Sequence, residues 1–90
     1  MPSIKPYTAG KLSGAVYAFE AAGDELAPHV HDRASNHITI VMNGSFKCTG
    51  NKLIDGKVLA TGCVVDWPEG EPHGFVALEP NSRMLQIVKG

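Results

Sequence analysis

The sequence predicts an all-β fold, either a barrel or a sandwich, and three observations lead to that prediction. Glycine, proline and asparagine interrupt the chain every several residues, which is too often for helices of ordinary length. The segments between these breaks are short, and several are rich in the β-branched residues that favour strands. No segment has the convincing period of an amphipathic helix.

About eight short strands are expected from these runs. The runs with clear limits are Ala15 to Ala21, His37 to Met42, Ser45 to Thr49, Leu53 to Leu59, Cys63 to Asp66, Phe75 to Leu78 and Met84 to Val88. Asn43-Gly44 predicts a two-residue hairpin turn with positive φ at both positions, from which the next strand returns beside the one before it. Asp55-Gly56 predicts a second tight hairpin inside the run Leu53 to Leu59.

Length and composition limit the kind of protein. The 90 residues suit one domain covering 1–90, and 43% hydrophobic with 19% charged residues is an ordinary globular balance. The 8 basic and 9 acidic residues give a net charge of -1 without any block of like charge, so neither nucleic acid nor a membrane is an expected partner. The polar start of the chain resembles no signal peptide, and the expected location is the cytoplasm.

The two cysteines stand in alternating apolar runs. We therefore expect Cys48 and Cys63 to be reduced thiols in or near the core. A disulfide or a soft metal ligand is the alternative.

The four histidines are grouped in a way that suits a metal site. His29 and His31 are two positions apart, and side chains with that spacing project from the same face of a strand. His37 follows after a link of five residues, and His73 follows a loop much later in the chain. Neutral imidazole suits zinc, copper, iron and nickel. A single histidine on a strand is more often structural, so a structural role stays open from spacing alone.

The residues around the first three histidines carry a family resemblance. The order is Gly23, five residues, His29-Val30-His31, five residues, His37, six residues and Gly44. This pattern resembles the first conserved motif of the cupin superfamily.

The surroundings of His73 resemble the second cupin motif. Gly62 is followed by five residues, Pro68, one residue, Gly70, two residues and His73. The short interval between the two motifs is similar to that of compact microbial cupins. The resemblance implies a double-stranded β-helix, the cupin or jelly-roll barrel, with a metal in its mouth held by His29, His31, His37 and His73. It also implies that the protein often forms a homodimer.

The sequence departs from the cupin pattern at two positions. His37 stands where most cupins carry a glutamate ligand, after a link one residue longer than usual, and Ala77 stands where the second motif ends in asparagine. An all-histidine set leaves a divalent ion with its full charge, which favours an anionic ligand. The set is similar to the sites of the diketone-cleaving and thiol-oxidising cupin dioxygenases. If His37 lies outside coordination, three histidines remain.

Further residues are candidates for the pocket or the chemistry. Thr39, Val41 and Phe75 would line the pocket, although a place in the barrel core explains each of them as well. Gln86 interrupts an apolar run and would orient a substrate or a metal-bound water. Glu71 would be a general base if its loop folds over the barrel mouth. Trp67 is expected to be a packing or dimer-interface aromatic.

These observations favour a metal-dependent enzyme acting on a small anionic molecule. With iron it would be a dioxygenase, and with zinc, nickel or manganese a Lewis-acid isomerase, cyclase or lyase. The alternative is a non-catalytic, metal-containing module that binds or senses a small ligand.

Overall fold

A computed structural model describes residues 2–9, 12–29, 36–51, 54–67 and 72–89, with the backbone alone at positions 9, 12, 29, 36, 37, 88 and 89. The described residues form nine β-strands and no helix, which confirms the expected all-β fold. No helix in this part of the chain therefore has the length and apolar character that crossing a membrane requires.

The strands pair into two antiparallel sheets. In chain order they are β1 (Ser3–Ala9), β2 (Leu12–Phe19), β3 (Glu25–His29), β4 (Asn36–Asn43), β5 (Ser45–Thr49), β6 (Val58–Ala60), β7 (Val64–Trp67), β8 (His73–Ala77) and β9 (Ser82–Lys89). The first sheet has the order β1-β2-β9-β4-β7 and the second the order β3-β8-β5-β6.

The core lies between the two sheets, where each sheet buries one face. Ser82, Met84 and Gln86 of β9 are buried, and Phe46 and Cys48 alternate in the same way on β5. Three phenylalanines form the aromatic centre of this core. Phe46 lies edge to face with both of the others, with ring centroids 4.8 Å from Phe19 and 6.2 Å from Phe75.

The turn at Asn43-Gly44 is a corner between the sheets, so the predicted hairpin there is wrong. β4 pairs with β7 and β9, whereas β5 pairs with β6 and β8. Gly44 has φ 76°, but Asn43 does not have the positive φ that the predicted turn requires. Among the described non-glycine residues only Asn81 has positive φ. A Cβ at Gly44 would overlap the Ser82 side chain, so a glycine is required at this corner. The dipeptide signals a sharp bend, but it does not specify which strands pair.

The turn at Asp55-Gly56 is confirmed, but the strands that it connects are not the expected ones. The Lys57 N–H donates to the Ile54 carbonyl at 2.9 Å, and Gly56 has φ 80°. The strands that this connection joins are β5 and β6, with Phe46 opposite Leu59. Ile54 lies in the turn and not in a strand, so the tight hairpin expected inside the run Leu53 to Leu59 is not formed. Leu53 itself lies outside the described residues.

Candidate metal centre

The four predicted ligands differ in how much of each the structure describes. His31 lies outside the described residues, as does Glu71. His29 and His37 are described by their backbone, and His73 is described in full. Among the described side chains, no group of three or more His, Cys, Asp or Glu could hold a metal ion. Since three of the four imidazoles lie outside the described side chains, the four-histidine set stays a prediction.

The strand register brings three histidine positions to one end of the molecule. His29 of β3 is the pairing partner of His73 of β8 in the second sheet. His37 of β4 is the pairing partner of Trp67 of β7 in the first sheet. The Trp67 ring is stacked on the His73 ring, with centroids 4.5 Å apart and planes 15° from parallel. This stack therefore joins the two sheets at the end where positions 29, 37 and 73 lie.

The His73 imidazole lies in an aromatic environment. His73 is 1% exposed, and its neighbours Trp67 and Phe75 are 3% and 0% exposed. Phe75 approaches at a tilt, with its centroid 6.0 Å from the His73 ring and 6.2 Å from the Trp67 ring. Burial against two rings restricts the imidazole to few orientations, which suits a group that must present a nitrogen in a fixed direction.

The backbone before His73 is anchored by a buried asparagine. Asn51 is 2% exposed, and its side-chain amide donates to the Pro72 carbonyl at 2.9 Å. Its carbonyl oxygen accepts the Ile54 N–H at 3.3 Å. Asn51 therefore holds the entry to β8, and sequence reasoning missed it because only its place in a glycine-asparagine turn is visible in the sequence.

A close approach of β3 and β8 lies beside His29 and His73. A Cβ at Gly74 would lie 2.6 Å from the Pro28 nitrogen and 2.7 Å from the Thr49 hydroxyl oxygen, which is closer than side chains tolerate. Glycine at position 74 therefore lets the two histidine-bearing strands meet. The sequence offered no signal for this contact, because the cupin-like spacing involves other glycines.

A chain of buried hydrogen bonds runs from Trp67 into the barrel. The indole N–H donates to the Thr39 hydroxyl oxygen at 2.8 Å, and the Thr39 hydroxyl donates to the Gln86 carbonyl oxygen at 2.6 Å. The Gln86 amide nitrogen donates to the Met84 sulfur at 2.9 Å. Thr39 and Gln86 are pairing partners on β4 and β9.

The predicted pocket residues all lie in the interior. Thr39 is 0% exposed, Val41 1%, Phe75 0% and Gln86 3%. Trp67 belongs to the buried core, which confirms the expected packing role. Cys48 and Cys63 are free thiols, one buried and one partly exposed, as predicted. Contact between a ligand and the predicted pocket residues stays a prediction.

A hollow in the described surface lies away from the histidine positions. Its volume is about 290 Å³, and it is lined by Ser3, Ala18, Phe19, Glu20, Asn81 and Arg83. Arg83 pairs with Asn43, at the opposite end of β4 from His37. This hollow is therefore separate from the candidate metal centre.

A scan against protein-family models and a search of curated protein sequences find no match for the chain. Solved structures resemble it over nearly its whole length. An RmlC-like cupin protein from Desulfovibrio desulfuricans has a TM-score of 0.83 and 19% identity, over 98% of this chain and 81% of that one. KdgF from Halomonas sp. has a TM-score of 0.81 and 27% identity, over 94% and 76%.

A third similar structure is described by its architecture. A conserved protein with a double-stranded β-helix domain from Klebsiella pneumoniae has a TM-score of 0.81 and 20% identity, over 98% of this chain and 76% of that one. The chain therefore has the cupin fold, a double-stranded β-helix, as the two sequence motifs predicted. A fold of this kind hosts many unrelated functions, so the function must be argued from the site.

Proposed function

We propose that this cupin domain holds one divalent transition metal ion through His29, His31, His37 and His73, and acts on a small anionic molecule. The observation that carries the proposal is the stack of Trp67 on His73, combined with the strand register. Since His29 is paired with His73, and His37 with Trp67, one contact links three of the four histidine positions. His31, two positions after His29, completes the set by its spacing.

The donor chemistry of these residues fits a transition metal. Imidazole nitrogen is a ligand for iron, zinc and nickel, and the ion is held more strongly where bulk water is excluded. His73 is such a group, since it is 1% exposed between aromatic rings. Four neutral ligands leave the charge of the ion uncompensated, which supports a carboxylate, enolate or thiolate as the bound molecule.

The reaction class follows from the metal that is bound. The ion would supply Lewis acidity for an isomerase, cyclase or lyase, or redox chemistry with dioxygen if it is iron. Trp67 and Phe75 would keep water from the reacting molecule, and Thr39 and Val41 would complete the apolar wall. Gln86 would orient the substrate through its amide, and Glu71 would move a proton if its loop closes over the site.

One observation favours the alternative, a non-catalytic binding or sensor module. In the hydrogen-bond chain from Trp67 to Met84, none of the described groups is a carboxylate. A site of this composition is suited to holding a ligand without transferring protons. Oxygen uptake with iron(II) and a panel of diketones and thiols would identify the enzyme, and tight binding without turnover would identify the module.

The metal site is tested by elemental analysis of protein purified without a histidine tag. We expect one equivalent of metal per chain, and loss of stoichiometric metal in His73→Ala and in His31→Ala, because each removes a ligand. Phe46→Leu is the control: it disturbs the core on β5 and should retain the metal. Unchanged metal content in both histidine variants would refute the site.

A further inference from the structure

We infer that Thr39 and Gln86 form a positioning relay that holds the Trp67 ring, and through that ring fixes the orientation of His73. The relay itself does not depend on a metal. Its consequence for metal affinity rests on the proposed function above. Neither Thr39 nor Gln86 is a ligand of the ion in this proposal, and within the relay both act by positioning Trp67.

Chemistry determines the direction of the hydrogen bond from Trp67, and the other two bonds continue from it in the same sense. An indole nitrogen can only donate, so the Thr39 oxygen accepts from Trp67 at 2.8 Å. The single hydrogen of the Thr39 hydroxyl is then available for Gln86 at 2.6 Å, and the atom that receives it must be the amide oxygen. The Gln86 amide nitrogen accordingly turns to the Met84 sulfur. The donors and acceptors of these three bonds are therefore mutually consistent.

The residues of the relay are held by strand pairing and are buried from solvent. Thr39 and Gln86 are pairing partners on neighbouring strands of the first sheet, so the backbone fixes the distance between them. The exposed fractions of Thr39, Gln86 and Trp67 are 0%, 3% and 3%. Water therefore cannot easily replace a missing hydroxyl, and an indole N–H that lost Thr39 would have to turn to find another acceptor.

The stack transmits the orientation of Trp67 to His73. The two rings lie 4.5 Å apart at 15°, whereas Phe75 is inclined by 52° to the imidazole. Among the described residues, Trp67 is thus the one whose ring lies parallel to the imidazole and limits the tilt of the His73 ring. A rotation of the indole would remove that surface and widen the range of imidazole orientations.

The experiment compares Thr39→Val with Thr39→Ser. Valine has nearly the shape of threonine but cannot accept the indole hydrogen bond, and serine restores the hydroxyl. Thr49→Val is the matched control, because it is the same change at a buried hydroxyl with no hydrogen-bond partner among the described residues. Trp67 is the single tryptophan of the chain, so its signals are unambiguous.

The metal-free protein tests the relay directly. We expect the indole N–H of Thr39→Val to exchange with solvent about tenfold faster by NMR, because it has lost a buried acceptor. Thr39→Ser and Thr49→Val should retain the exchange rate of the unmodified protein. Equal indole exchange in Thr39→Val and the unmodified protein would overturn the relay.

Titration with Ni²⁺, followed by calorimetry, tests the effect on His73. Thr39→Val should bind Ni²⁺ about tenfold more weakly, with affinity restored in Thr39→Ser, since groups that orient a ligand have effects of this size. In a Trp67→Phe background, which keeps a stacked ring but has no N–H, the same Thr39→Val change should have no further effect.

The outcomes separate the relay from the metal site. If Thr39→Val does not fold, Trp67→Phe removes the same hydrogen bond from the other side and should show the same loss of Ni²⁺ affinity. Undiminished affinity in that variant would overturn the link to His73. If the unmodified protein binds no Ni²⁺, the proposed function and that link fail together, and indole exchange still decides the relay.

Discussion

At the scale of single residues, Cys48 is the group whose ionisation is most clearly linked to folding. The thiol is fully buried on β5. Burial raises the pKa of Cys48 above its usual value of 9.0, the Asp55 carboxylate raises the pKa further, and a hydrogen bond from the Gly74 backbone opposes them. A raised pKa means that the folded protein keeps this proton at a pH where the unfolded chain releases it.

Stability should therefore depend on Cys48 at alkaline pH. The stabilising contribution is complete below 9.0 and is lost as the pH rises through the higher pKa of the folded state. We expect the free energy of unfolding to fall more steeply above 9.0 in the unmodified protein than in Cys48→Ala, measured by urea denaturation at a series of pH values. Val41→Ala, which removes buried apolar atoms but no ionisable group, should keep the pH dependence of the unmodified protein. Parallel curves for Cys48→Ala and the unmodified protein would contradict this assignment.

Sequence reasoning identified some site residues and missed others for a physical reason. The sequence predicts a role for Gln86, because a polar residue in an apolar run needs a partner, but it does not indicate that this partner is Thr39. Asn51 was missed, because its bond to Pro72 depends on the path of a chain that returns after 21 residues. Residue type and spacing predict which polar groups require a hydrogen-bond partner, and only the folded chain determines which residue is that partner.

At the scale of elements, strands with a buried face were predicted well and strands without one were missed. The run Ser45 to Thr49 agrees with β5, whose side chains alternate between buried and exposed. β1 was not predicted, because the described side chains from Ser3 to Thr8 are all exposed and so show no hydrophobic alternation. Its Pro6 fits an edge strand, where a missing N–H can face outward.

The exposed edge strand β1 leads to a prediction about assembly. It forms one edge of the first sheet, where Ile4 is 55% and Tyr7 50% exposed. An open edge with apolar side chains is suited to pairing with a second copy, so we expect a homodimer in light scattering. Ile4→Lys combined with Tyr7→Lys should give a monomer. Val64→Lys, at a 60% exposed position on the opposite edge strand β7, should leave the dimer intact. A monomeric unmodified protein, or dissociation only in Val64→Lys, would refute this interface.

At the scale of the whole molecule, the fold is conserved where the sequence is not. The Desulfovibrio desulfuricans cupin shares 19% identity with this chain at a TM-score of 0.83. What such chains need in common is the alternation of buried and exposed side chains and glycines at the corners, and many sequences satisfy those requirements. The corner at Gly44 and the turn at Gly62 have positive φ, and both glycines belong to the motifs that predicted the barrel. The motifs therefore carry the backbone geometry as well as the histidines.

The same architecture predicts how the protein responds to metal removal. The core is a cluster of apolar side chains centred on Phe19, Phe46 and Phe75, so the barrel does not require the ion in order to bury its hydrophobic surface. We expect the protein in excess chelator to keep its β-sheet circular dichroism. Free metal at about one hundred times its dissociation constant should add about 2.7 kcal/mol to the free energy of unfolding. For a domain of this size that corresponds to a rise in melting temperature of roughly 10–20 °C.

Differential scanning calorimetry at several free-metal concentrations measures this rise, with His73→Ala as the control that should show none. Two results would contradict the prediction in different ways. An unfolded chain in chelator would mean that the ion, and not the aromatic core, supplies the stability of the barrel. A melting temperature independent of free metal would mean that the folded protein has no preference for the ion. Because mass action makes the increment grow with the logarithm of free metal, the slope of the series also gives the number of ions bound on folding.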